Sequence, residues 1–136
     1  MPKLFESFAC IGTVKPEIAK ALGMRVLANG SRPCEEGLQI AEYVDLDTLL
    51  RRADVVSLHC PLVPATHHLV NAERLALMKA TAILINTARG PVVDEQALAD
   101  ALNSGALHAA GIDVLCEEPP CSDSPLLTAR NCFVTP

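Results

Sequence analysis

The chain has 136 residues, half of them hydrophobic, with no Trp and a single Tyr. That length suits one domain with a real core, and the aliphatic composition excludes a disordered or fibrous chain. The net charge of −5 argues against nucleic acid or an anionic membrane as a bulk partner, while leaving room for a small anion held by one or two local cations.

Short apolar runs alternate with helical patterns along the chain. A first helix carries Val14, Ile18, Ala21 and Leu22 on one face, and "RVLA" (25–28) follows as a strand. Asp45 can cap a helix over "LDTLLRRA", which leads into the strand "VVSLH" (55–59). Asn71 can cap "AERLALMKA" before the strand "AILIN" (82–86). Asp94 can cap "EQALADALNSG", a helix expected to bury Ala97, Leu98, Ala101 and Leu102 and to stop at Asn103-Ser104-Gly105. The strands "AAGIDV" (109–114) and "FVT" (133–135) flank the loop "CEEPPCSDSP" (116–125). These strands are too short and too uniformly apolar to be wet on one side, so both faces should be covered. Strand–helix alternation with short links predicts an α/β fold, a doubly wound parallel sheet of six or seven strands in one domain over 1–136. In such sheets ligands bind outside the carboxyl ends of the strands. His59, Arg89 and Asp113 all fall at expected carboxyl ends.

Six cysteines (Cys10, Cys34, Cys60, Cys116, Cys121 and Cys132) include no C-x-x-C pair, and the four histidines have no ligand spacing. No metal site is expected. The opening "MPKLFESF" lacks the apolar stretch of a signal peptide, and no run approaches a membrane span. Reduced thiols and a cytoplasmic location, with no membrane partner, are the resulting expectations. The adjacent His67 and His68 read as a solvated loop pair.

Four segments, "ADVVSLHCPLVPATHHLVN", "ILINTARGPVVDEQALADAL", "AAGIDVLCEEPP" and "SPLLTARNCFVTP", resemble in order and spacing the D-isomer-specific 2-hydroxyacid dehydrogenases. The resemblance covers nearly the whole chain and corresponds to that family's Rossmann-type NAD(P)-binding domain. The ending is most similar to the glycerate dehydrogenase (hydroxypyruvate reductase) branch. It implies hydride transfer between a nicotinamide and a D-2-hydroxy or 2-keto acid, such as hydroxypyruvate or glyoxylate. Arg89 matches the arginine that holds the substrate carboxylate, whose two oxygens suit a guanidinium fork. Glu118, directly before Pro119, matches the glutamate that orients the catalytic histidine. That histidine is expected after "VTP", where this sequence ends at Pro136. A fragment without the substrate domain, and inactive alone, is therefore expected.

The same resemblance assigns the cofactor, NADP or NAD. His59, Cys60, Pro61 and Thr66 would touch it mostly through backbone, Thr87, Ala88 and Arg89 would line the nicotinamide side, and Asp113 would accept from the carboxamide. Asp113 could instead merely cap the next turn. The phosphate loop should read G-x-G-x-x-G after a first strand. Taking Gly12 as the third glycine makes the loop "SFACIG", with Ser7 and Ala9 in place of glycines and the amides around Cys10 and Ile11 facing the phosphates. The alternative, Gly12 as the first glycine, leaves "GTVKPE" with no others and a helix too short to reach "GMRVL". Gly30 stands where an acid would grip the ribose, followed by Ser31 and Arg32, which favours a 2′-phosphate and hence NADP. Dinucleotide binding is expected to be weak. The resemblance also allows a homodimer, a non-catalytic dinucleotide-sensing interaction module, or a degenerate fragment.

Overall fold

The computed structural model describes residues 7–12, 17–30 and 35–135. Seven strands form one sheet: β1 (Ser7–Gly12), β2 (Arg25–Asn29), β3 (Glu42–Tyr43), β4 (Val55–His59), β5 (Ile83–Asn86), β6 (Ala109–Ile112) and β7 (Cys132–Val134). Their order is β3-β2-β1-β4-β5-β6-β7, and every pairing is parallel. The order reverses between β1 and β4, where Gly12 stands in register with His59. This is the doubly wound sheet expected from the alternation, and its topological switch point opens between these two residues.

The helices are α1 (Glu17–Ala21), α2 (Glu35–Ile40), α3 (Leu46–Arg52), α4 (Ala72–Leu75) and α5 (Glu95–Ser104). All three expected caps form. Asp45 accepts from Thr48 N at 2.9 Å, Asn71 from Arg74 N at 3.0 Å, and Asp94 from Ala97 N at 3.1 Å. Each satisfies a backbone donor that the first helical turn leaves unpaired. Gly105 ends α5 in the left-handed region at φ 78°, which glycine enters without steric cost. On α5 the buried residues are Leu98, Ala99 and Leu102, with Ala97 and Ala101 half-buried. The fully buried leucines Leu49, Leu50, Leu58, Leu84 and Leu98 form the main core around β4 and β5.

Two expectations fail at the amino-terminal end. "SFACIG" is a strand, not a phosphate-cradling turn: Cys10 pairs with both Ala28 and Ser57, and Ile11 with both Asn29 and Leu58. Between two parallel neighbours, the amides of Cys10 and Ile11 belong to the ladder. Among the described residues α1 covers Glu17–Ala21 and turns at once into β2, with Gly23 at φ 77° and Met24 N donating to Ala19 O at 3.1 Å. Its apolar face also differs from the expected one. Ala19 is buried, whereas Ile18 and Leu22 are 76% and 70% exposed, and Val14 lies outside the described residues.

Candidate functional site

The carboxyl edge of the sheet gathers the strand-end residues, and Asn86 organises them. It is the last residue of β5, 1% exposed, and a carboxamide buried that deeply needs partners for both ends. Its Nδ2 donates to Arg89 O at 3.0 Å and its Oδ1 accepts from Ala88 N at 3.0 Å, which fixes the turn 86–89. Its backbone carbonyl accepts from Asp113 N at 3.0 Å, joining the end of β5 to the end of β6. The sequence reading missed Asn86. The available signal was a polar residue closing an apolar run directly before Thr-Ala-Arg-Gly.

Arg89 follows with extended backbone (φ −148°, ψ 141°) and begins a 3₁₀ turn over Gly90–Val92. Its Nη1 donates to Ala88 O at 2.6 Å. Among the described residues no carboxylate lies within ion-pair distance of it. The exposed guanidinium therefore retains donors for an anion arriving from outside. Beside it Ala88 is buried and Thr87 is exposed.

The next residue, Gly90, is buried against the loop after β6. A Cβ there would overlap the backbone of Leu115 and Cys116, so glycine's missing side chain is what lets the two loops touch. Glu95, the first residue of α5, accepts from Cys116 N at 2.7 Å and anchors the same loop. Glu118 lies three residues further on, exposed, with Oε1 accepting from Leu115 N at 3.0 Å. Glu117 accepts from the Cys121 thiol at 2.7 Å. Desolvation first, and the Glu95 carboxylate second, push the Cys116 thiol up to about 12. A neutral thiol of this kind is no nucleophile at neutral pH. Asp113 is exposed and its Oδ1 accepts from the Thr135 hydroxyl at 2.7 Å.

At the switch point His59 ends β4, half-buried, with Nε2 2.6 Å from the hydroxyl of the buried Ser57. Burial holds its imidazole below the ordinary value, which favours the neutral ring. Cys60 is buried, and its thiol is raised by desolvation. Pro61 O accepts from the Thr66 hydroxyl at 2.6 Å, and Thr66 Oγ1 in turn accepts from Val63 N at 2.9 Å. Thr66 thus shapes the loop 61–66 through its side chain. His67 and His68 are exposed, as expected, but they stack at 4.1 Å, and His68 Nδ1 lies 4.0 Å from Asp94. Their loop is tied to the Arg89 turn by His68 N donating to Pro91 O at 2.8 Å and Val70 N to Val92 O at 3.1 Å.

Arg89, Asp113 and Glu118 therefore share one edge, with His59 to Thr66 beside them. Cys10 and Ile11 lie inside β1, one strand away from β4, and Ser31 and Arg32 fall outside the described residues. Cys60, Cys116, Cys121 and Cys132 are free thiols. Among the described residues no His, Cys, Asp or Glu cluster could hold a metal, and no helix is long and apolar enough to cross a membrane.

Known proteins share both the sequence and the fold. Residues 7–136 match the family model described as D-isomer specific 2-hydroxyacid dehydrogenase, NAD binding domain. A hydroxypyruvate reductase of Blautia hydrogenotrophica is 50% identical over 128 residues, covering 93% of this chain and 39% of that protein. A glyoxylate/hydroxypyruvate reductase B of Klebsiella pneumoniae is 53% identical over 116 residues, covering 84% of this chain and 36% of that protein. The crystal structure of D-lactate dehydrogenase with NAD+ from Lactobacillus jensenii superposes with a TM-score of 0.88 at 34% identity, over 96% of this chain and 45% of that one. The chain thus spans well under half the length of these relatives. With the switch point, the braced arginine and these matches in place, the chain belongs to the D-isomer-specific 2-hydroxyacid dehydrogenases, to the part of them that is the NAD-binding domain.

Proposed function

We propose that this chain is the dinucleotide-binding domain of a reductase that interconverts a 2-keto acid and a D-2-hydroxy acid of the hydroxypyruvate or glyoxylate class. The observation that carries the proposal is Arg89, whose backbone turn is fixed by Asn86 at the carboxyl end of β5 and whose guanidinium has no carboxylate partner among the described residues.

The residues present fit the nicotinamide end of NAD better than its pyrophosphate. Asp113 has one carboxylate oxygen engaged by Thr135, and the other suits a carboxamide N–H. Cys60 to Thr66 supply a preformed loop beside it. The phosphate end differs: Gly12 ends β1, and residues 13–16 contain no glycine. A close backbone approach to pyrophosphate relies on glycines that this sequence lacks, so weak binding is expected. Ser31 and Arg32 would accommodate a 2′-phosphate, which makes NADP the finer proposal over NAD. A homodimer on the family pattern belongs to the same reading.

When bound, the nicotinamide supplies or accepts the hydride. Arg89 holds the substrate carboxylate bidentately and polarises the adjacent carbonyl, a charged contact worth about 1.5–3 kcal/mol. Glu118 keeps one oxygen for an imidazole N–H, the role its resemblance gives it, and so orients and tunes the proton carrier. Hydroxypyruvate turnover by a protein extended to the relatives' length tests this reading. Arg89→Ala there should lower kcat/KM by about 10–150-fold, and unchanged turnover would overturn the assignment. In calorimetry NADPH should bind better than NADH, with Arg32→Ala removing the difference. Tighter NADH binding that ignores Arg32→Ala would exclude the 2′-phosphate reading.

A further inference from the structure

The opposite edge of the sheet carries a second cationic cavity. Arg25 opens β2, Arg51 and Arg52 close α3, and Lys79 lies in the turn before β5. Together with Leu27 these four side chains line a cavity of about 240 Å³. Two of the cations are already committed. Arg52 forks onto Glu42 at 2.7 and 2.9 Å, and Lys79 meets Asp54 at 2.7 Å. The other two are not: among the described residues, neither Arg25 nor Arg51 joins an ion pair. Glu42 also lies within electrostatic range of Arg25, but both its oxygens are engaged by Arg52.

A bland account covers part of this. Basic residues in the last turn of a helix are stabilised by its carbonyl end, which explains Arg51 and Arg52 on α3. It does not explain why β2 and the turn before β5 bring two more cations to the same cavity. Among the described residues, four cations against two carboxylates leave a local positive excess in a chain whose net charge is −5. Like charges gathered around one cavity repel unless an anion joins them.

We infer that this amino-edge cavity is an anion site, separate from the Arg89 edge, for a small molecule with clustered phosphate or carboxylate oxygens. Arg25 and Arg51 are its ligands, because a planar fork pairs with two oxygens at once. Arg52–Glu42 and Lys79–Asp54 brace its walls. The cavity's size and the chain's acidity favour a small metabolite over a nucleic acid.

Calorimetry on the 136-residue chain at fixed ionic strength tests the inference, with inorganic phosphate and citrate titrated separately. Saturable one-to-one binding is expected for at least one. Phosphate alone would identify a phosphate-bearing ligand, and citrate alone a polycarboxylate. Replacing both arginines (Arg25→Gln with Arg51→Gln) should weaken binding about tenfold or more. Glu42→Gln, which removes one of the two carboxylates beside the cavity, should tighten it. Absence of saturable binding with both anions would overturn the inference. So would an affinity that survives the double substitution, or one that disappears with Arg89→Gln instead.

Discussion

Two buried clusters meet at β2 and are built differently. The main one takes in Leu27 on β2, Leu49 and Leu50 on α3, and Leu58, Leu84, Leu98, Leu107 and Leu126, all essentially inaccessible. On the other face of β2 the second cluster has, among the described residues, Ala19, Val26, Ala28 and Ala41, and Ile18, Leu22 and Leu38 stand exposed. The candidate site borders the main cluster. Asn86, Arg89, Asp113 and Glu118 lie at or after the carboxyl ends of β5 and β6, held by short-range hydrogen bonds within each turn and by Asp113 N donating to Asn86 O between the two strand ends. The departures from the family's glycine pattern sit on β1. The residues proposed for the substrate side are thus tied together by hydrogen bonds, while the proposed phosphate end of the cofactor site lies at β1.

Substitutions that test this contrast should rank accordingly. Leu84→Ala, in the middle of the large core, should cost about 2–5 kcal/mol in urea denaturation. A loss as small as that of a surface change would mean the main cluster is not the packed one. Gly90→Ala should cost about 1–3 kcal/mol, because a methyl there meets the backbone of Leu115 and Cys116. A stable Gly90→Ala protein would show that the two loops do not touch. A smaller effect is expected from acid. Burial holds the folded His59 below its ordinary 6.5, so the unfolded chain takes up that proton first as pH falls. This contribution is complete above 6.5 and is lost as pH falls toward the folded value. The fall in Tm between about pH 7.5 and 5.5 should shrink in His59→Gln, and an identical fall would remove the claim. Least of all, Ile18→Ser on the exposed face of α1 should change stability by no more than about 0.5 kcal/mol. A larger loss would mean that this face is covered.

Local chemistry was the legible part of the sequence. Asp45, Asn71 and Asp94 could be placed as caps because each precedes its helix and acts three residues ahead. The strands at 55–59, 82–86 and 133–135 were marked by apolar runs ended by polar residues, and they agree with the observed strands within a residue. Arg89 and Asp113 could be placed at strand ends for the same reason. What escaped was non-local. Glu95 reaches Cys116 across 21 residues, and Gly90 meets Leu115 through a contact that no periodicity announces. The phosphate loop was misplaced for a different reason. "SFACIG" offers small residues at glycine spacing, and a full-length helix was assumed after it. Paired on both sides, by β2 and by β4, the segment runs as a strand as far as Gly12 instead. β3 has only two residues, too few to leave a pattern.

The central claim is that NAD lies along the carboxyl edge, held from the β4–β6 side. Backbone amide shift mapping of the chain during an NADH titration tests it most directly. Shifts should concentrate at 59–66, 87–90 and 113–118, with Gly12 marking the switch point. Saturable binding that leaves those amides unmoved while shifting those around Arg25, Arg51 and Lys79 would contradict it.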